Sequence, residues 1–181
     1  MNLTINLEKN SSLIYNRFIK NKKMNNNIII NQVNSSNIIF NYSVIASDKG
    51  ELTFKSTLDG SHNNTEINIR AITEDKGSLK LACTSEAKAK TQENNLIEDI
   101  RILLLNNEES IIIPDLLVSS NEVEVNHAAT MSGINKNELF YLESKGLSRE
   151  AAKDLIKNGF VIGNLDLQED YVEKIKEIIR R

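Results

Sequence analysis

The sequence predicts a mainly β body followed by a small α-helical appendage. Two observations carry that prediction. Up to about Val125 apolar residues alternate with polar ones, the period of a strand with one buried face. From Asn135 onward they recur at helical spacing. The composition agrees. The chain has 181 residues, of which 40% are hydrophobic and 26% charged, a globular rather than a disordered balance. That length suits one domain, or one domain with an appendage, and is ample for a core.

At the start, Leu3, Ile5 and Leu7 alternate and predict a first strand. Arg17, Lys20, Lys22 and Lys23 surround Phe18 and Ile19, a grouping that reads as a solvated loop or edge rather than a nucleic-acid site. How residues 1–40 join the body is left open. The stretch from Met24 to Tyr42 is rich in Asn and Ile. Asn can form side-chain ladders in a stacked solenoid, but a codon bias is the preferred reading of this composition. Clearer strands follow: Phe40-Tyr42-Val44, Leu52-Phe54 with Ser56 and Leu58, Ile67-Ile69, Leu79-Leu81 and Val123-Val125. Turn signals separate them at Asp48-Lys49-Gly50, Asp59-Gly60-Ser61, Asp75-Lys76-Gly77, Asn106-Asn107 and Ser119-Ser120-Asn121. Strand centres recur about every 12 residues, which fits a sandwich, a barrel or a β-solenoid. Periodicity alone does not choose among the three.

In the appendage, Asn135 with Glu138 reads as an N-cap and its capping-box partner. Leu139, Phe140 and Leu142 form the expected buried side, and Gly146 the stop. Ser148 caps a second helix carrying Ala151, Ala152, Leu155 and Ile156 and ending at Asn158-Gly159. A third runs from about Leu167 to Ile179, with Val172, Ile175, Ile178 and Ile179 as its apolar stripe.

Several function classes are disfavoured. Lys plus Arg number 22 against 25 for Asp plus Glu, for a net charge of −3, so there is no general attraction to nucleic acid or anionic lipid. No apolar run approaches the roughly 20 residues of a membrane span. The opening MNLTINLEKN lacks a basic stretch followed by an apolar one, so a cytoplasmic protein is expected. A single Cys excludes an internal disulfide, and two His leave few nitrogen ligands. No Ser/His/Asp or Cys/His pair suited to nucleophilic catalysis and no phosphate-binding loop stands out. The chain is therefore expected to be no enzyme and to bind no nucleotide itself.

The segment from Ile112 to Phe160 is more specific. Pro114 and Leu116 lie in a P-x-L-x-V-type strand. A polar turn follows, then a strand ending in His127, Ala129 and Thr130. After a spacer come Leu139, Phe140, Tyr141, Leu142, Ser144, Gly146, Leu147 and Ser148, then a helix ending in Gly159-Phe160. This ordered set resembles the C-terminal core of the SufB/SufD family of iron–sulfur cluster assembly proteins. Gly60, His62, Asn63, Thr65, Glu66, Gln92, Asn94 and Leu103-Leu104-Leu105 look like a looser continuation upstream.

The resemblance implies a right-handed parallel β-helix over residues 1–133 and a helical ATPase-docking domain over 134–181. It further implies a scaffold that pairs edge to edge with a second SufB/SufD-type chain. Through the helical part that scaffold docks a SufC-like ABC-type ATPase. Family members are usually longer, so the chain reads as a short form. A SufB-type chain carries a Cys six residues before the Pro of the P-x-L strand, where Glu108 stands here. It also carries Glu directly after the His, where Ala128 stands. The SufD-type His matches at His127. The reading is thus SufD-like, without the SufB sulfur-accepting thiol.

His127 is the candidate ligand for a transient iron–sulfur cluster shared with a partner chain, since one imidazole can complete but not make such a site. Its structural alternative is a residue bonded to backbone or water. Cys83 reads as a small buried hydrophobe, and His62 as a solvated turn residue. Glu108 and Glu109 read as a solvated turn. Leu139, Phe140, Tyr141 and Leu142, with Gly146 and Leu147, are the candidate partner-binding residues, because they span more of a helix than one core face needs. The alternative is that the last helix covers them. The rival function is an interaction or regulatory module of the same complex that has lost cluster chemistry.

Overall fold

A computed structural model describes residues 1–21 and 24–180. Ten strands alternate between two parallel sheets. The first sheet holds β1 (Asn2–Leu7), β3 (Met24–Gln32), β5 (Lys49–Leu58), β7 (Ser78–Ala87) and β9 (Ile111–Val118), neighbours in that order. The second holds β2 (Ser12–Asn21), β4 (Asn37–Ala46), β6 (Asn64–Thr73), β8 (Gln92–Leu104) and β10 (Glu122–Gly133). Each strand pairs in parallel with the strand two along the chain, so the backbone winds as a parallel β-solenoid with two strands per coil. This selects the solenoid from the three β architectures. It also places residues 1–21 and 24–40 inside the solenoid.

The alternating pattern explains the core. Inward residues of the two sheets meet in one apolar cluster that includes Ile28, Ile30, Phe40, Tyr42, Phe54, Leu81 and Ile100. Phe40 stacks on Tyr15 and Tyr42, with ring centroids 5.0 and 6.0 Å away. Each large side chain fully buried here contributes roughly 1.5–3 kcal/mol.

The Asn residues form ladders. Asn41 donates to Asn16 at 2.9 Å, and Asn68 donates to Asn41 at 3.0 Å. Asn31 donates to Asn6, and Asn95 to Asn64. The chain separation between rungs grows from 25 residues at Asn16–Asn41 to 31 at Asn64–Asn95. One turn keeps its shape as the coils lengthen: Asn10, Ser35, His62 and Glu93 all have φ between 51° and 61°. Gly60 sits beside this stack because a Cβ there would fall 2.4 Å from Asn34 Oδ1.

Three helices follow: α1 (Lys136–Ser144), α2 (Arg149–Ile162) and α3 (Glu169–Arg180). Both expected caps are present. The Asn135 side chain accepts from Asn137 N–H, and Ser148 from Ala151 N–H. Gly146 takes φ +92°, the left-handed stop. α2 does not end at Asn158-Gly159 but continues to Ile162, because Phe160, Val161 and Ile162 pack on the outer face of the second sheet. There they join Ile45, Ile72, Leu103, Ile175 and Ile179 in a second apolar cluster.

A charged latch ties this layer down. Glu74 contacts Lys157 of α2 at 2.6 Å and Lys20 of β2 at 3.6 Å. Lys20 also donates to the carbonyls of Ile178 and Ile179 at the end of α3. Burial alone would raise the Glu74 pKa, but the Lys157 and Lys20 ammonium groups outweigh it and hold the carboxyl below its ordinary value. Lys20 therefore belongs to a half-buried ion network rather than to a freely solvated patch. Lys22 and Lys23 lie outside the described residues.

Candidate functional site

The strand register brings four polar side chains together inside the last coils. Along the second sheet, Tyr15, Phe40, Ile67, Glu98 and His127 occupy one inward column. Opposite it, Phe54, Cys83 and Pro114 form one column, and Ser56, Ser85 and Leu116 the next. The interior thus turns from aromatic and aliphatic to polar as it approaches β9 and β10. These two strands end their sheets. Their inward residues Pro114 and Val118 are exposed, so the solenoid is open at this end. Pro114, which lacks a backbone N–H, is tolerated on such an edge.

Glu98 is the centre of the cluster, and its side chain has no solvent exposure. Its Oε1 accepts from the Ser85 hydroxyl and lies 3.9 Å from Cys83 Sγ. Its Oε2 lies 2.6 Å from Nδ1 of His127. That is an ion-pair distance, although the ring N–H is not aimed along an ideal hydrogen-bond axis. Among the described residues neither Oε2 nor Nδ1 makes a hydrogen bond, and Nε2 of His127 makes none either. The His127 side chain is 20% exposed.

Burial pushes the Cys83 thiol well above its ordinary pKa, and the neighbouring Glu98 charge adds to the shift. The thiol is therefore protonated and a poor nucleophile or metal ligand in this state. Cys83 is buried, as expected of a small hydrophobe, but it touches a carboxylate rather than only apolar groups. Among the described residues, no three His, Cys, Asp or Glu side chains are grouped to hold a metal ion. Glu108 and Glu109 are exposed ahead of β9, and His62 is an exposed turn residue 3.2 Å from Glu93.

The expected partner-binding residues separate into two sets. Leu139 is buried and Leu142 half-buried, whereas Phe140 is 72% and Tyr141 57% exposed. Phe140 does not join the buried side as its spacing suggested. Instead the stripe of α3 packs against the second sheet through Ile175 and Ile179. Beside α1 and α2 lies a groove of about 430 Å³, lined by Ile134, Leu142, Leu155 and Phe160 among others. Gly146 and Leu147 are exposed between α1 and α2. Glu98 escaped sequence reasoning. Its signal was the alternation Leu96-Glu98-Ile100-Ile102, a carboxylate at an inward position of a strand.

Comparison with known proteins agrees with this geometry. The model of a family described as "SUF system FeS cluster assembly, SufBD core domain" matches residues 2–160. An iron–sulfur cluster assembly SufBD family protein of Pyrococcus horikoshii is 45% identical over 67 residues, 36% of this chain and 15% of the relative. SufBD family proteins of Staphylococcus aureus strains USA300 and NCTC 8325 are each 32% identical over 94 residues, 51% of this chain and 20% of theirs. The matched stretches thus span a fifth or less of these relatives. Among the described residues, no helix is long and apolar enough to cross a membrane.

Proposed function

The chain belongs to the SufBD core-domain family of the SUF iron–sulfur cluster assembly system, and from that premise we propose that it is a non-catalytic scaffold subunit of a SUF-type assembly complex. In this reading a SufC-like ABC-type ATPase docks on the exposed side of α1, through Phe140 and Tyr141, with Leu139, Leu142, Gly146 and Leu147 shaping the contact. A second SufB/SufD-type chain pairs with the free edges of β9 and β10. His127, on β10, then lies beside the seam and contributes one imidazole to a transient iron–sulfur cluster, the cargo of the complex. The remaining ligands come from the second chain, since this one supplies an imidazole and a buried, protonated thiol.

The observation that carries the reading is the position of His127 on the last strand of an open solenoid, in a family whose name is cluster assembly. Two large exposed aromatics on one short helix support the docking part. Co-purification with the ATPase tests docking: Phe140→Asp with Tyr141→Asp is expected to abolish it while leaving the fold intact. Unchanged association removes that assignment. Anaerobic reconstitution with iron and sulfide in the presence of the second chain tests the cluster part. Wild type is expected to develop cluster absorption that His127→Ala lacks, and identical spectra would remove His127 as a ligand.

The exposed Glu108 at the position of the SufB-type thiol favours a second reading. In it the chain is an interaction or regulatory module of the same complex without cluster chemistry. Iron and sulfide analysis of the anaerobically purified complex separates the two.

A further inference from the structure

We propose that Glu98 is a positioning residue that commits Nδ1 of His127 to the protein interior and leaves Nε2 as the nitrogen offered for ligation. The inference rests on the reading of His127 as a ligand and deepens it.

A carboxylate stands where the three preceding coils place Tyr15, Phe40 and Ile67. Removing a carboxylate from water is costly unless it is paired. Here the side chain is wholly buried, and its two oxygens are divided between two tasks. Oε1 is held by the Ser85 hydroxyl, with the Cys83 thiol behind it, which fixes the plane of the carboxylate. Oε2 lies 2.6 Å from His127 Nδ1 but off the axis of a hydrogen bond, and neither atom makes a hydrogen bond among the described residues. A histidine that ligates a metal through one ring nitrogen is ordinarily oriented by a carboxylate or carbonyl on the other, and the choice of nitrogen follows from that second contact. At that separation the carboxylate charge favours the neutral tautomer with its proton on Nδ1, which leaves the lone pair on Nε2. Nε2 is buried without a hydrogen-bond partner among the described residues, so β10 at the open end must yield for a ligand to reach it. Ser85 and Glu98 thus act on the cluster site through His127 and touch no cargo themselves.

The test uses the full chain and two readouts. Ring-nitrogen NMR of wild type at neutral pH is expected to show a protonated Nδ1 and a bare Nε2 on His127. The isosteric Glu98→Gln is expected to lose that preference, and Glu98→Asp to restore it in part. Titration with cobalt(II), followed by calorimetry in every variant and by paramagnetic broadening of the ring signals where His127 is present, is expected to be about 10–100-fold weaker in Glu98→Gln. If the Glu98→Gln ring pattern and affinity equal those of wild type while His127→Ala loses binding, the positioning role falls and the ligand reading stands. If His127→Ala binds as wild type does, the ligand reading falls. The ring pattern then decides the positioning role alone, and a wild-type proton on Nε2 would overturn it. Circular dichroism of each variant ensures that a changed pattern is not a lost fold.

Discussion

Two stretches of the same interior obey different rules. Between Ile28 and Ile69 the space between the sheets is filled mainly by Phe40, Tyr42, Phe54 and branched aliphatics without exposure, with Gln32, Ser56 and Thr65 as its buried polar members. In the next coil the columns hold Cys83, Ser85 and Glu98, and in the last coil they hold His127 while Pro114 and Val118 meet solvent. The backbone does not change, since strands, register and stacked turns continue through both. Coil geometry is therefore supplied by backbone pairing and by the outward and turn residues. The interior columns remain free to carry either packing or chemistry.

The largest effect that can break this contrast is a cavity in the apolar stretch. Phe54→Ala should cost about 3–5 kcal/mol in urea unfolding, whereas Val125→Ala near the open end should cost no more than about 1 kcal/mol. Equal losses would mean that the two stretches are one core. Next comes the buried pair. His127→Ala should destabilise by about 1–3 kcal/mol because it leaves Glu98 Oε2 without a polar neighbour in the interior. The double variant Glu98→Leu with His127→Leu should return to wild-type stability or exceed it. A double variant as weak as the single one would show that the polar cluster holds the coil together rather than occupying it.

A smaller effect concerns the helical layer. Glu74→Gln should lower stability by about 1–2 kcal/mol at neutral pH by releasing Lys20 and Lys157. The Glu74 pKa is lowered in the folded chain, so its contribution is complete above the ordinary carboxylate pKa and disappears as pH falls through the lowered value. Thermal melts of wild type and variant should therefore converge in acid, and a constant gap would assign the loss to packing. Smallest is the outer ladder, where Asn41→Ala should cost about 1 kcal/mol through its bonds to Asn16 and Asn68.

Alternation made most strands legible, because one face of each is buried and the other is not. Asn135, Gly146 and Ser148 fixed the helix boundaries they head or follow through local chemistry, which a sequence displays directly. Gly159 misled for the opposite reason. Its neighbours Phe160 and Val161 find their partners on a sheet more than fifty residues earlier, and that burial outweighs the weak helix propensity of one glycine. The Glu74–Lys157 pair is likewise invisible without the fold, as 83 residues separate its members. At the site, His127 stood out by its motif. Glu98 did not, since a Glu in a charged strand segment ordinarily faces water, and only the register turns it inward.

Because each coil is gripped by the coils above and below it, the array is a row of links whose strength is summed neighbour by neighbour. The end links, β1 with β2 and β9 with β10, are each gripped from one side. They therefore part before the inner ones, and their amide hydrogens exchange with solvent ahead of those in β5 and β6. The imidazole rides on an end link of the row, where a second molecule laid along the edge would clamp strand and ring in one motion.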